Sequence, residues 1–136
     1  MPYAIRTAGP GDLPALARLD RHISPAELET SVRLGRVLVA EGKGGLAGWL
    51  RWNLFWDNTP FLNLLFVLEG RRGTGVGRAL AERWEWEMRQ AGYETVMTST
   101  QASESAQHFY NKLGYGALGG FLPPGEGYEL ILAKNL

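Results

Sequence analysis

The chain has 136 residues, of which 45% are hydrophobic and 21% charged, enough for one hydrophobic core and too few for two ordinary domains. Lys plus Arg number 14 and Asp plus Glu number 14, so no net charge draws the chain to nucleic acid or an anionic membrane. Any anion must therefore be held by a local site. The absence of cysteine excludes disulfides, thiolate zinc sites and a cysteine nucleophile, and suits a reducing cytosol.

The opening Met1-Pro2-Tyr3-Ala4-Ile5-Arg6 lacks the apolar core of a signal peptide. No apolar run approaches a membrane-spanning length. Together these point to the cytoplasm, with neither nucleic acid nor membrane as partner. The two histidines, His22 and His108, lack the spacing of a metal motif, so no metal is expected.

Tyr3 to Thr7 predicts a short first strand, broken by Gly9-Pro10-Gly11. Asp12 then reads as the N-cap of a helix running to about Arg21, with Leu13, Leu16, Ala17 and Asp20 on one face. Ser24-Pro25-Ala26-Glu27 has the pattern of a capping box with proline at the first helical position, and that helix should end near Leu34-Gly35. Arg36 to Glu41 predicts a second strand. Gly42-Lys43-Gly44-Gly45 signals a hairpin into a long third strand, Leu46 to about Trp56. Asp57-Asn58-Thr59-Pro60 predicts a turn, and the nearly unbroken apolar run Phe61 to Val67 predicts a central strand buried on both faces.

The next helix runs to about Gln90, with Val76, Leu80, Trp84 and Met88 on one stripe and Gly92 at its C-terminal cap. Tyr93 to Thr100 predicts a fifth strand, and Ala102 to Leu113 a helix with Ala106, Phe109, Tyr110 and Leu113 on one stripe. Tyr115 to Phe121 and Tyr128 to Ala133 complete the pattern as two strands. The order is strand, two helices, three strands, helix, strand, helix, two strands.

The chemistry starts where the buried strand meets the helix, at Arg72-Gly73-Thr74-Gly75-Val76-Gly77. The first N–H groups of a helix have no internal acceptor, and the helix dipole adds partial positive charge there. Glycines let the backbone approach an anion, so the N–H groups of Gly73 to Arg78 can wrap a phosphate, with Arg71, Arg72 and Arg78 at the rim. A mere tight turn is the bland alternative. No Lys-Ser or Lys-Thr follows the last glycine, so this is not a Walker A loop. The G-x-G-x-x-G spacing of dinucleotide folds is absent too.

On these residues the sequence resembles the GNAT acetyltransferase superfamily. Arg72-x-x-Gly75-x-Gly77 matches the family's Gln or Arg, two residues, Gly, one residue, Gly or Ala, preceded by Leu65-Phe66-Val67 in the place of the strand that contacts pantetheine. Ser103-x-x-Ala106-x-x-x-Tyr110-x-x-x-Gly114-Tyr115 is similar to its second signature, with serine where asparagine is usual, a residue that can bond a pantetheine amide and can equally cap the helix.

The resemblance implies a single α/β (α+β) domain over 1–136. It would have a mixed sheet of about seven strands, splayed between the fourth and fifth, and about four helices. It implies an acetyl-coenzyme A-dependent N-acetyltransferase, acetyl-coenzyme A being the cosubstrate, whose amine acceptor attacks the thioester directly. Phe66, Val67 and Ser103 would contact pantetheine, and Arg72, Gly73, Thr74, Gly75, Val76, Gly77 and Arg78 would hold the pyrophosphate. Tyr110 would be the general acid for the departing thiolate, the alternative being a core tyrosine on its stripe.

No base is assigned. Where some relatives carry a strand glutamate this chain has Phe61, Asn63 shares that face, and Asp57, Glu126 and His22 lie in loops. The aromatics Trp49, Trp52, Phe55, Trp56 and Phe121 should mostly be core. Trp49 and Phe55 share a strand face with Arg51 and Asn53 that could line a ligand cleft or a homodimer contact. The missing strand carboxylate leaves open a non-catalytic acyl-coenzyme A sensing module, and an unrelated phosphate-binding interaction domain is the third reading. The acceptor is a small-molecule amine or a peptide.

Overall fold

The structure, a computed structural model, describes residues 3–103 and 105–136. Met1 and Pro2, from the N-terminal stretch, and Glu104, from the second signature, lie outside the described residues. Among the described residues there are seven strands and four α-helices, in the order predicted. They are β1 (Ala4–Thr7), α1 (Leu13–Leu19), α2 (Pro25–Arg33), β2 (Val37–Gly42), β3 (Gly45–Phe55), β4 (Thr59–Val67), α3 (Val76–Gln90), β5 (Thr95–Gln101), α4 (Ala106–Lys112), β6 (Gly116–Phe121) and β7 (Glu129–Asn135). The sheet order is β1-β2-β3-β4-β5-β7-β6. No helix among the described residues is long and apolar enough to cross a membrane.

The chain forms two compact units. One comprises the chain through Asn53 together with Leu64–Trp84, and the other comprises Leu54–Asn63 with Glu85–Leu136. In the first, β1, β2 and β3 pair antiparallel, and Leu16 and Leu28 from the helices meet Val37, Val39 and Trp49 from the sheet in a buried core. Ser24 caps α2 as expected, its hydroxyl accepting the Glu27 N–H at 3.2 Å. Asp12 behaves differently. It stands at the start of α1 without capping it, because its carboxylate instead accepts the Gly9 N–H at 2.8 Å and two bonds from Arg6, each 2.8 Å. A bidentate pair with a guanidinium outweighs the bonds the carboxylate would make to the helix N–H groups.

Asp20 ends α1 and is buried. Its carboxylate accepts from Arg51 Nε at 2.6 Å, Trp49 Nε1 at 3.0 Å and the His22 N–H at 3.1 Å. Trp49 and Arg51 are thus interior residues, and the mixed face expected to line a cleft or dimer contact is closed over them. Phe55 and Asn53, further along β3, are exposed.

In the second unit the start of β4 pairs parallel with β5, Phe61 opposite Met97 and Leu62 opposite Thr98. β5 pairs antiparallel with β7 from Thr95↔Asn135 to Gln101↔Glu129, and β6 closes the edge. β4 is not buried on both faces. Within Phe61 to Val67 only Leu62 is fully buried, Asn63 is exposed and the rest are half-buried. An apolar run of that length is equally consistent with a strand covered on one side, and burial is decided by what packs on it.

The β3–β4 turn also differs from expectation. It sits two residues earlier, over Phe55 to Asn58, with Trp56 at φ 52°, Asp57 at φ 63° and Asn58 N–H bonded to the Phe55 carbonyl at 3.2 Å. This is the two-residue hairpin geometry that Asn-Gly adopts without strain. Trp56 is 81% exposed, so little packing compensates the left-handed backbone. Of the aromatics expected in the core, Trp49 is buried, Trp52 half-buried, and Phe55, Trp56 and Phe121 exposed. Trp56→Asn should raise the unfolding free energy by about 0.5–1 kcal/mol, read from urea denaturation. A lower midpoint would show that the Phe55–Trp56 ring contact, centroids 5.2 Å apart, outweighs the strain.

Candidate functional site

In the first unit, β4 hands over to α3 through a short 3-10 helix, Glu69–Arg71, and the glycine turn. Gly73 at φ 77° and Gly75 at φ 85° occupy the left-handed region that a side chain disfavours. A Cβ at either would meet nothing within 4 Å, so the glycines answer to backbone shape and leave open space above them. The first bond into α3 is Ala79 N–H to the Gly75 carbonyl at 3.0 Å. The N–H groups of Val76, Gly77 and Arg78 therefore begin the helix with no intrahelical acceptor, at the positive end of its dipole. Thr74 braces the turn: its hydroxyl donates to the Arg71 carbonyl and accepts from Tyr3 Oη at 3.1 Å.

The arginines divide their work. Arg72 Nε donates to the Val67 carbonyl at 3.2 Å, and its guanidinium lies 5.8 Å from the Phe66 ring centre. Arg71 lies over the β2–β3 turn, where a Cβ on Gly44 would fall 1.9 Å from Nη2. Arg78 pairs with Glu82 at 3.5 Å, both exposed. Phe66 stacks on Trp49 at 5.0 Å, and its carbonyl approaches Gly48, where a Cβ would be 2.7 Å away. The turn thus rests on packed neighbours, and the groups it leaves without a helical partner are backbone N–H groups.

In the second unit, Tyr110 on α4 is 6% exposed, its ring edge-on to Phe109 at 5.1 Å and to Tyr115 at 5.5 Å. On β5, Thr98 Oγ1 donates to the Leu62 carbonyl at 3.0 Å. Burial pushes the Tyr110 phenol up to about 12. It is neutral at any physiological pH. Tyr115 donates to Glu85 at 2.8 Å, and Lys134 holds the same carboxylate at 2.7 Å. Burial, then the Glu85 charge, push the Tyr115 phenol upward.

Ser103 sits in an exposed turn. α4 begins at Ala106, later than predicted, with Ser105 at the cap position and no side-chain capping bond, so Ser103 does not cap it. Of the groups weighed as a base, Asn63, Asp57, Glu126 and His22 are exposed, while Phe61 stacks on Phe55 at 5.9 Å. The buried acids are Asp20 and Glu85, each already bonded to a cation. Neither role was visible in the sequence alone. For Asp20 there was a signal, an acid on the apolar face of α1.

The sequence matches the family described as Acetyltransferase (GNAT) domain over residues 33–116, which takes in both the glycine turn and Tyr110. The chain belongs to the GNAT acetyltransferase family. No curated protein is significantly similar to it in sequence. The fold of this GNAT protein is similar to that of Ard1 from Thermoplasma volcanium, at 18% identity over 100% of this chain and 99% of that one, TM-score 0.88. It is also similar to the ribosomal-protein-S18-alanine N-acetyltransferase from Escherichia coli, at 22% identity over 98% and 93%, TM-score 0.81. A third similar structure is N-acetylglutamate synthase from Neisseria gonorrhoeae complexed with coenzyme A and N-acetyl-glutamate, at 21% identity over 98% of this chain and 35% of that one, TM-score 0.83. At these identities the likeness establishes the shared GNAT fold.

Tyr110 also sets an alkaline limit on stability. Its phenol titrates near 12 in the folded chain against 10.0 for the ordinary group, so its proton favours folding fully below pH 10.0, and this is lost as pH rises through about 12. Tyr115, shifted the same way, adds to the fall. Tyr110→Phe should therefore flatten, without abolishing, the decline in unfolding free energy between about pH 10 and about pH 12. Urea denaturation at several pH values measures it, and parallel curves for mutant and parent would refute the shift.

Proposed function

We propose that this protein is an acetyl-coenzyme A-dependent N-acetyltransferase, one catalytic domain over 1–136 acting on a small-molecule or peptide amine. The observation that carries the proposal is the start of α3. Two glycines at positive φ and three N–H groups without helical acceptors form a cradle for a pyrophosphate, on residues inside the matched GNAT span.

Val76, Gly77 and Arg78 would bind the pyrophosphate through the backbone, with Gly73, Thr74 and Gly75 shaping the turn and the Arg72 guanidinium adding charge. Phe66 and Val67 would offer backbone groups to the pantetheine amides, with Ser103 as a further polar contact. Acetyl-coenzyme A supplies an acetyl group on a thioester, whose sulfur leaves as a thiolate. The amine nitrogen bonds to the acetyl carbon, the carbon–sulfur bond breaks with its electron pair on sulfur, and Tyr110 gives its proton there. The surplus amine proton leaves to water, and the phenolate regains a proton from water. A phenol kept neutral by burial suits a donor that acts only as negative charge develops.

A second reading, an acyl-coenzyme A sensing module, is favoured by Phe61 in the place of a strand carboxylate and by the prior engagement of both buried acids. The acceptor is left at the level of an amine. Solved relatives of this fold include a protein-alanine acetyltransferase and a synthase bound to N-acetyl-glutamate.

Calorimetry with acetyl-coenzyme A and thiol release over an amine panel separate these readings. The parent should bind and turn over. Gly75→Val places a β-branched residue at φ 85° and should weaken binding at least about tenfold. Tyr110→Phe should bind normally and lower kcat roughly ten- to a thousand-fold. Binding without turnover on any amine would favour the sensing module. Unchanged affinity in a folded Gly75→Val protein would remove the turn as the site.

A further inference from the structure

Tyr115, immediately before β6, is 3% exposed and is held at both ends. Its hydroxyl donates to Glu85 Oε2 at 2.8 Å, and its backbone N–H bonds the Tyr110 carbonyl at 3.0 Å. Between these anchors its ring stands edge-on to the Tyr110 ring, centroids 5.5 Å apart at 70°. Lys134 completes the cluster: its Nζ donates to Glu85 Oε1 at 2.7 Å and lies 5.8 Å from the Tyr115 ring centre. A buried ion pair contributes little net stability, since burial costs both partners their hydration. The cluster is better accounted for by the geometry it imposes. A phenol oxygen lies on the axis about which its ring flips, so a bond there fixes where the whole ring points.

We propose that Tyr115 is a positioning residue for Tyr110: pinned by Glu85, it is the wall that holds the Tyr110 ring, and with it the hydroxyl, in one orientation. The inference rests on Tyr110 acting as general acid. Phe109 also meets Tyr110 edge-on at 5.1 Å, but a phenylalanine has no polar end by which its ring can be anchored. A proton donor must lie within hydrogen-bond reach of the atom it serves, and a displacement of about 1 Å can cost on the order of a hundredfold in rate. The Glu85 carboxylate only accepts the phenol's bond, and no proton moves through the cluster.

The test is a double-mutant cycle on Tyr115→Phe and Tyr110→Phe. Tyr115→Phe keeps the ring and removes only its anchor. Should it not fold with Glu85 short of a donor, Tyr115→Phe combined with Glu85→Gln takes its place. kcat and the KM for acetyl-coenzyme A are measured on an accepted amine, with thermal melting as a control. Tyr115→Phe should lower kcat about three- to thirtyfold and leave KM within about twofold. In the Tyr110→Phe background it should cost less than about twofold, because the hydroxyl it positions is gone.

The same loss in both backgrounds, or a raised KM at the parent kcat, would make Tyr115 merely structural and overturn the proposal. Tyr115→Phe at the parent rate beside a slow Tyr110→Phe would overturn it while leaving the general-acid reading intact. Tyr110→Phe at the parent rate, or a parent with no turnover on any amine, would remove both.

Discussion

The parallel pairing of Phe61 and Leu62 with Met97 and Thr98 is the constraint from which the candidate site follows. Parallel neighbours cannot be joined by a tight turn, so the chain must cross over, and here the crossover is α3. A helix launched from the end of β4 presents its unpaired N–H groups at that end of the strand, where the chain must also reverse direction. Gly73 and Gly75 supply the two left-handed residues that make the reversal short. The row of open backbone N–H groups is then a consequence of topology, and side-chain chemistry is secondary. The arginines bear this out, since Arg71 and Arg72 are engaged with the protein's own backbone and turn while the N–H groups of Val76 to Arg78 are not in helical bonds.

The same economy governs the buried charges. Asp20 and Glu85 are interior carboxylates, and a buried carboxylate persists only when cations and donors compensate its lost hydration. Asp20 has Arg51, the Trp49 indole and a backbone N–H, while Glu85 has Lys134 and the Tyr115 phenol. Taking a proton from a substrate would break an ion pair in either case. Neither acid is free to take up a proton cheaply, whereas the buried Tyr110 phenol is neutral without any partner charge.

Much of this was legible in the sequence, for identifiable reasons. The α3 stripe of Val76, Leu80, Trp84 and Met88 is buried as its period predicted, because four-residue spacing admits one solution in a helix. Ser24-Pro25 and Gly92 mark helix ends through local hydrogen bonds that need no distant partner. The misreadings share the opposite property. Asp12 was drawn from its cap by Arg6, the face of Trp49 and Arg51 was closed by Asp20, and the burial of Leu64 to Val67 depended on what covers them. Each outcome depends on a residue distant in sequence or on an unseen layer. The tight turn at Trp56 was missed because tryptophan is the residue such a backbone least predicts.

The glycine turn was readable because glycine reports backbone shape directly. The contact of Thr98 with the Leu62 carbonyl was not, because a threonine on a strand is ordinary and the two residues are distant in sequence. They are brought together by the same parallel register that demands the α3 crossover, so one pairing accounts both for where α3 starts and for this side-chain bond across the ladder. A change of register by one residue would reverse the faces of β5 and break that bond.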